Sequence, residues 1–308
     1  MNPEIVTAEA PASIGNVATG FDIIGHTISG PSDRVSARRI EERTVRLGSL
    51  SGVVTDLPRD ALRNTALRSV DVLRDQCGLD FGFELDIEKG IPLGSGMGGS
   101  AASAVAALVA ANGLPKEPLS PQALYPFALQ GEAAASGGEH GDNIAPMLLG
   151  GVTLATRDRL IRLPVPEGLT CVLVHPHLVL ETRRAREALQ APYAISEFVA
   201  QSEGLARLLV GLFTGDLDSI RAGLRDVLVE PRRAPLIPGF GLAKRAALDA
   251  GALGASISGG GPSVFAWFEN QTVASTSLAS MQAAFAQAGL DSDAFISPVD
   301  GPMARIVE

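Results

Sequence analysis

Cysteine is scarce: the 308-residue chain has two, Cys77 and Cys171. Two cysteines do not make a disulfide framework, and without a C-x-x-C pair the common zinc and dithiol-redox spellings are excluded. Each is expected as a buried, reduced thiol. Basic charge is also short, with 25 Lys and Arg against 34 Asp and Glu and a net charge of −9. Nucleic-acid binders carry a basic face, so no nucleic-acid partner is expected. A small anion is not excluded, because a local site can be positive on an acidic protein. Long apolar runs are missing. AASAVAALVAAN, from Ala101, is too short to cross a bilayer and is flanked by glycine, so no membrane contact is expected. The first residues, MNPEIVTAEAPAS, show no basic segment followed by an apolar run, and no signal peptide is read there. No internal repeat and no low-complexity tail are visible. The expectation is a soluble, cytoplasmic protein.

Hydrophobic residues make up 46% of the chain, enough for a sizeable core in one large domain or two ordinary ones. EIVTAEA, DRVSARRI, TVRLGSL and the alternating FGFELDIEK read as strands. A helix runs from Asn64 to a stop at Gly78, another from Gly98 to Asn112, and a third from Pro121 to a stop at Gly137-Gly138. GVTLAT and TCVLVHP are strands, three helical stretches occupy roughly 183–250, and ASISGGGPSVFAWFE is strand, glycine loop, strand. A helix near 275–288 and two short strands follow. Strands and helices mix without regular alternation, which predicts an α+β protein of two domains. The Pro-rich LPVPEG at 163–168 is the boundary, giving domains 1–163 and 164–308.

GSGMGGSAAS, from Gly94, contains the spacing Gly94-x-Gly96-x-x-Gly99. A dinucleotide site needs an apolar parallel strand before it and an acid at the end of the next strand. Here the preceding strand is amphipathic, Pro92 intervenes and no such acid follows. Walker A is excluded because Gly-Lys-Ser/Thr is absent. Two readings remain open on these residues alone. One is a phosphate cradle, with unpaired N–H donors of the helix start facing an anion and Ser100 and Ser103 adding hydroxyls. The other is a small-residue helix packed tightly on a neighbour, with Ser100 as its cap.

Other stretches carry more polarity than folding requires. Glu132 sits near the end of its helix, where a carboxylate opposes the macrodipole; a bound cation or plain solvation explains it. Glu139, His140, Asp142 and Asn143 crowd one loop, and Asn16 and Asp22 bracket Gly20-Phe21 in another; both also suit ordinary turns. Lys89 ends a strand, as a solvated charge or a phosphate counter-charge. Arg186 and Arg233 lie in two arginine-rich segments, and Ser258 to Ser263 forms a second glycine cluster.

PASIGNVATGFD, IPLGSGMGGSAAS and SISGGGPSVFA, in that order, resemble the three signature motifs of the GHMP small-molecule kinases. Within that superfamily GEAAASGGEHGDNIAPMLLGG, ETRRAREAL and VEPRRAPLIPGF resemble the homoserine kinases. The resemblance implies an N-terminal ATP-binding domain like ribosomal protein S5 domain 2 and a ferredoxin-like C-terminal domain. It implies ATP-dependent phosphorylation of the side-chain hydroxyl of L-homoserine, in threonine biosynthesis, and a homodimer. Pro92, Leu93, Gly94, Ser95, Gly96, Met97, Gly98, Gly99, Ser100, Ala101 and Ala102 would wrap the phosphates, with Asn64 and Lys89 on the nucleotide. Ser100 and Glu132 would hold Mg2+. Asn16, Asp22, His140, Asn143, Thr182, Arg186 and Arg233 would surround homoserine, the arginines on its carboxylate and Asp22 on its ammonium group. Asn143, His140 and Lys89 are the expected catalytic residues, with direct attack and no dedicated base, although Asp142 stands where a related kinase has a catalytic aspartate. The sequence departs from the family at Met97-Gly98-Gly99, where a serine is usual, so Ser100 carries the magnesium role. The alternatives are a GHMP kinase for another small alcohol, of the mevalonate or shikimate type, and a non-catalytic nucleotide sensor.

Overall fold

Alternation decides how the first strand lies. The computed structural model describes residues 4–136, 138, 140–190 and 192–307. In β1 (Ile5–Ile14), Val6, Ala8 and Ala10 point into the core while Ile5 faces solvent; from Pro11 onward the strand is wholly buried. β2 (Ile24–Ile40), β3 (Val45–Gly52) and α1 (Thr65–Gln76) follow, then β4 (Gly82–Lys89) and α2 (Gly99–Asn112). α3 (Pro121–Ser136), α4 (Ile144–Leu149), β5 (Val152–Ala155), β6 (Leu160–Arg162) and β7 (Thr170–Pro176) come next. After them run α5 (Thr182–Glu187), α6 (Ile195–Thr214), α7 (Leu217–Gly223), α8 (Glu230–Arg233) and α9 (Phe240–Asp249). The chain continues through β8 (Gly254–Ile257), β9 (Val264–Phe268), α10 (Gln271–Gln287), β10 (Ser292–Pro298) and β11 (Arg305–Ile306).

Among the described residues seven strands form the first sheet, along the path β11-β1-β2-β4-β3, with β5 on β2 and β6 on β5. β1, β2 and β4 pair antiparallel, and β3 lies parallel to β4. α2 lies against β1, β2, α1 and α3. Its alanines are buried nearly all round, as in any helix enclosed on every side, and their small size lets the neighbours approach closely.

The second sheet, β10-β7-β9-β8, is antiparallel throughout, and β7, β8 and β9 are buried on both faces. Its period of two sends Cys171, Leu173, Phe265 and Trp267 into the core of the first sheet. Val172, Val174, Val264, Ala266 and Phe268 turn the other way, onto Ala243, Ala247, Met281 and Phe285 of α9 and α10. Trp267, fully buried, donates its Nε1–H to Nε2 of His26 on β2 at 3.1 Å, and the two rings meet edge to face at 5.4 Å. Burial lowers the His26 pKa to about 4, so this ring is a neutral acceptor that joins the two sheets.

The α+β reading holds, and several details change. β2 extends well before DRVSARRI because Ile24 and Ile28 are buried core residues. Among the described residues the three helical stretches near 183–250 are five α-helices, broken at Gly215 (φ 74°) and Gly239 (φ 84°) among other places. Cys77 is exposed at the end of α1, not buried; Cys171 is buried. β11 carries residues 305–306 back to β1, so the two sheets do not divide cleanly at 163. Gly137 and Glu139 lie outside the described residues. Among the described residues no helix is long and apolar enough to cross a membrane.

Candidate active site

The glycine loop lies between β4 and α2, on the side facing the second sheet. Gly96 has φ 78°, and a Cβ there would meet the Ser258 carbonyl at 2.6 Å and the Gly261 carbonyl at 2.7 Å. Gly98, at φ 69°, is the N-cap of α2 and offers no side-chain bond to the helix start. Ser100 is therefore inside the first turn and is not the cap. Glycine is required here by left-handed backbone and close backbone approach. The first N–H groups of α2 have no partner within the helix, as at any helix start.

This loop walls a cavity of about 220 Å³ with residues 92–96 and 98–100. Asn16, Asp22, Glu132, His140, Asp142 and Asn143 line a second side, and Leu180, Thr182, Arg186, Arg233 and residues 259–261 a third. Segments far apart in the chain thus meet around one space.

The second glycine cluster clasps the loop. Ser258 Oγ donates to the Gly96 carbonyl at 2.7 Å, and Ser263 Oγ donates to the Ser95 carbonyl at 2.6 Å. The Gly259 carbonyl accepts from Asn16 Nδ2 and from Arg233 Nη1, both at 2.9 Å. Arg233 is 2% exposed and also donates to the Ala185 carbonyl at 3.1 Å. Burial, and then the neighbouring Arg186, bring its pKa down to about 10, so it stays a cation at neutral pH. Asp22 receives a fork from Arg186 at 2.8 and 3.1 Å, and His140 Nδ1 lies 3.5 Å from the same carboxylate. Burial lowers the His140 pKa against the opposing pull of Asp22, leaving a neutral ring. Asn16, Ala18 and Asp22 all adopt positive φ, and the Asn16 amide oxygen accepts the Asp22 N–H at 2.7 Å. Three non-glycine residues in that region within one loop mark a strained segment.

Asp142 is 2% exposed. It accepts the Asn16 N–H at 2.9 Å and contacts Asn143 Nδ2 at 3.3 Å. Ser13 Oγ donates to Asn143 Oδ1 at 2.8 Å, which aims the amide nitrogen the other way. Burial, reinforced by Asp22, raises the Asp142 pKa to about 6. Ser100 Oγ donates to Glu132 at 2.9 and 3.1 Å. Burial raises the Glu132 pKa to about 7; Asp142 adds to this, while Ser100, Arg186 and Lys89 oppose it. A hydroxyl beside an enclosed carboxylate is an all-oxygen donor pair for a hard cation, and a cation there would relieve the carboxylate's desolvation. No group of three or more His, Cys, Asp or Glu among the described residues is placed to hold a metal ion.

Two residues expected on the nucleotide do not line this cavity. Asn64 caps α1, accepting from Ala66 and Leu67 N–H at 3.1 and 3.3 Å and donating to the Pro58 carbonyl at 2.9 Å. It does not line the cavity, because its side chain is occupied in capping. Lys89, expected as a catalytic residue, is 1% exposed and ion-paired with Asp33 behind the loop. Met97, Ala101 and Ala102 are likewise buried behind it. Sequence reasoning missed Leu180, for which no signal existed, and assigned no role to Ser13 or Asp33; the second glycine cluster, read as a close approach to another backbone or to a ligand, meets the first loop and lines the cavity.

The sequence and the fold have known counterparts. A family model described as "GHMP kinases N terminal domain" matches residues 64–151, and one described as "GHMP kinases C terminal" matches 208–287. The chain is 57% identical to the homoserine kinase of Xanthomonas campestris pv. campestris (strain B100), over 97% of this chain and 93% of that protein. It is 52% identical to the homoserine kinase of Xylella fastidiosa (strain 9a5c), with the same coverage. A crystal structure of homoserine kinase from Cytophaga hutchinsonii superposes with a TM-score of 0.94 at 39% identity, covering 99% of this chain and 98% of that one. The chain belongs to the GHMP kinases, and within them to the homoserine kinase family.

Proposed function

We propose that the protein transfers the γ-phosphoryl group of ATP to the side-chain hydroxyl of L-homoserine, giving O-phospho-L-homoserine. One observation carries this reading. The helix-start glycine loop and a polar pocket holding Asp22, Arg186 and Arg233 open into the same cavity, so a phosphate donor and a zwitterionic acceptor would meet there.

Residues 92–96 and 98–100 would hold the phosphates through backbone N–H groups and the N-terminal end of α2. Arg233 and Arg186 would take the substrate carboxylate and Asp22 its ammonium group, with Thr182 and Asn16 closing the pocket. Ser100 and Glu132 would hold Mg2+. When bound, Mg2+ neutralises charge on the β- and γ-phosphates. Asn143 and neutral His140 would place the hydroxyl in line with phosphorus, since phosphoryl transfer needs positioning and charge stabilisation more than covalent help. The hydroxyl oxygen bonds to phosphorus as the bond to the ADP oxygen breaks, and its proton passes to an oxygen of the transferred group.

Asp142, which accepts the Asn16 N–H, positions Asn16 and Asn143 and is not the base. Asp142→Asn should therefore keep kcat within about tenfold, whereas loss of a true general base costs roughly 10²–10⁴-fold. Steady-state kinetics on the folded variant decide between these. Glu132 must be ionised to hold a cation. At limiting Mg2+ the rate should rise with pH through the region of about 7. Because the cation binds the deprotonated form, raising Mg2+ should move that rise to lower pH. A pH–rate profile unmoved by Mg2+ would exclude Glu132 as a ligand.

The reading itself is tested by coupled ADP release with Mg2+-ATP across L-homoserine, mevalonate and shikimate. Turnover with homoserine, competed by L-threonine, supports it; turnover confined to another alcohol replaces it, and no turnover with any points to a nucleotide sensor.

A further inference from the structure

Behind the glycine loop lies a charged cluster that touches neither the cavity nor solvent. Asp33 on β2, Lys89 at the end of β4 and Ser103 in α2 are 0%, 1% and 4% exposed. Asp33 and Lys89 lie one step beyond the cross-strand pair Arg34 and Glu88. Oδ1 of Asp33 accepts two backbone bonds, from Gly90 N–H and Ile91 N–H, each at 3.1 Å. Oδ2 accepts from Ser103 Oγ at 2.7 Å and pairs directly with Lys89 Nζ. Lys89 Nζ also donates to the Gly99 carbonyl at 2.8 Å and to Ser103 Oγ at 2.9 Å. All three ammonium donors are thereby used.

These partners are the two ends of one loop. Gly90 and Ile91 enter it; Gly99 and Ser103 belong to the first turns of the helix it feeds. A buried ion pair adds little net stability over apolar residues of similar volume, so fold stability alone gives no reason for charges here. Geometry gives one. A carboxylate with fixed lone pairs and an ammonium group with three donors hold four backbone and side-chain positions at set distances.

We propose that Asp33 is a positioning residue for the phosphate donor. Through Lys89 it ties the entrance of the glycine loop to its exit, and so sets the spacing of the phosphate-facing N–H groups before ATP binds. The inference rests on the reading that this loop holds ATP. Lys89 acts by pulling on the Gly99 carbonyl and not by contact with phosphate.

The test compares the full-length protein with two variants. Ser103→Ala removes one hydroxyl from the cluster and places the best helix former inside α2, so it folds. Asp33→Asn combined with Lys89→Met removes both charges together and leaves neither unpaired. KM for ATP, KM for homoserine and kcat are measured, together with ADP affinity by direct titration and the melting temperature. Misplacement of binding groups from behind a site costs up to about 100-fold, so the double variant should weaken ATP and ADP roughly 10- to 100-fold. Ser103→Ala should weaken both by about threefold, a coupling within the usual range for residues that touch no ligand. KM for homoserine should stay within about twofold in each. A folded double variant with unchanged ATP and ADP affinity, or one whose homoserine KM rises as much as its ATP KM, overturns the proposal. Should the double variant not fold, Ser103→Ala decides: ADP affinity equal to that of the parent overturns the proposal, and a selective loss supports it. Wild-type protein that binds ADP yet turns over no homoserine would instead overturn the functional reading, leaving the nucleotide titrations to judge the loop.

Discussion

Glu132→Gln lowers kcat/KM roughly 10²–10³-fold, the usual consequence of removing one group that stabilises developing charge in an enclosed site. The substitution preserves shape. It still accepts the Ser100 hydroxyl, which reaches the carboxylate at 2.9 and 3.1 Å, so the loop and α3 stay in register. What disappears is the negative charge. In the native protein that charge is held in enclosed surroundings that raise its pKa to about 7, with Asp142 adding to the effect. Such a carboxylate is costly to keep ionised alone and is favourable beside a cation. The loss should therefore fall mainly on the Mg2+ dependence and on kcat, with KM for homoserine little changed. Kinetics at several Mg2+ concentrations measure it. A variant as active as the parent at low Mg2+ would place the metal elsewhere. Ser100→Ala should show the same pattern more weakly, because a hydroxyl is a neutral ligand.

Trp267→Ala destabilises the protein by about 3–5 kcal/mol, the range for deleting a large buried aromatic side chain. Two effects add. The indole is fully buried among residues of both sheets, so its removal opens a cavity that Phe265 and the β2 residues cannot fill without moving. It also leaves Nε2 of His26, buried and neutral, without its donor at 3.1 Å. Trp267→Phe should recover the packing and not the hydrogen bond, costing about 1–3 kcal/mol for the orphaned acceptor. Urea unfolding followed by far-ultraviolet circular dichroism measures both. Equal stability of the alanine variant and the parent would mean that the sheets are joined by other contacts.

Much of the site was legible locally. Outside the site, Asn64 before an apolar-periodic run marks a helix start, and it caps α1. Glu132 stood out because a carboxylate near a helix C-terminus is electrostatically misplaced, and it lines the cavity. The burial of Lys89 was missed although its signal was present. In FGFELDIEK the inward positions are Phe83, Leu85 and Ile87, and Lys89 continues that parity into the core. Asp33 likewise shares the inward parity of Val35 and Ala37. Two opposite charges on inward positions of adjacent strands predict a buried pair, provided the pairing is known, and antiparallel register is a tertiary fact. The same limit hid the contact of Ser13 with Asn143, 130 residues away, and the Arg186–Asp22 fork across 164 residues. The break of the middle region into five helices depends on which faces α6 and α7 bury against each other, and periodicity alone does not contain that.

β11 has a consequence in the order of manufacture. Ala8 and Glu9 of β1 find their partners in Ile306 and Arg305, and 296 residues separate Glu9 from Arg305. During synthesis at about 5–20 residues per second, β1 waits many seconds with one edge bare until that partner is made. Exposed strand edges template unwanted pairing. The nascent chain is thus open to pairing with a neighbour on the same messenger along β1 until translation of β11 closes that window.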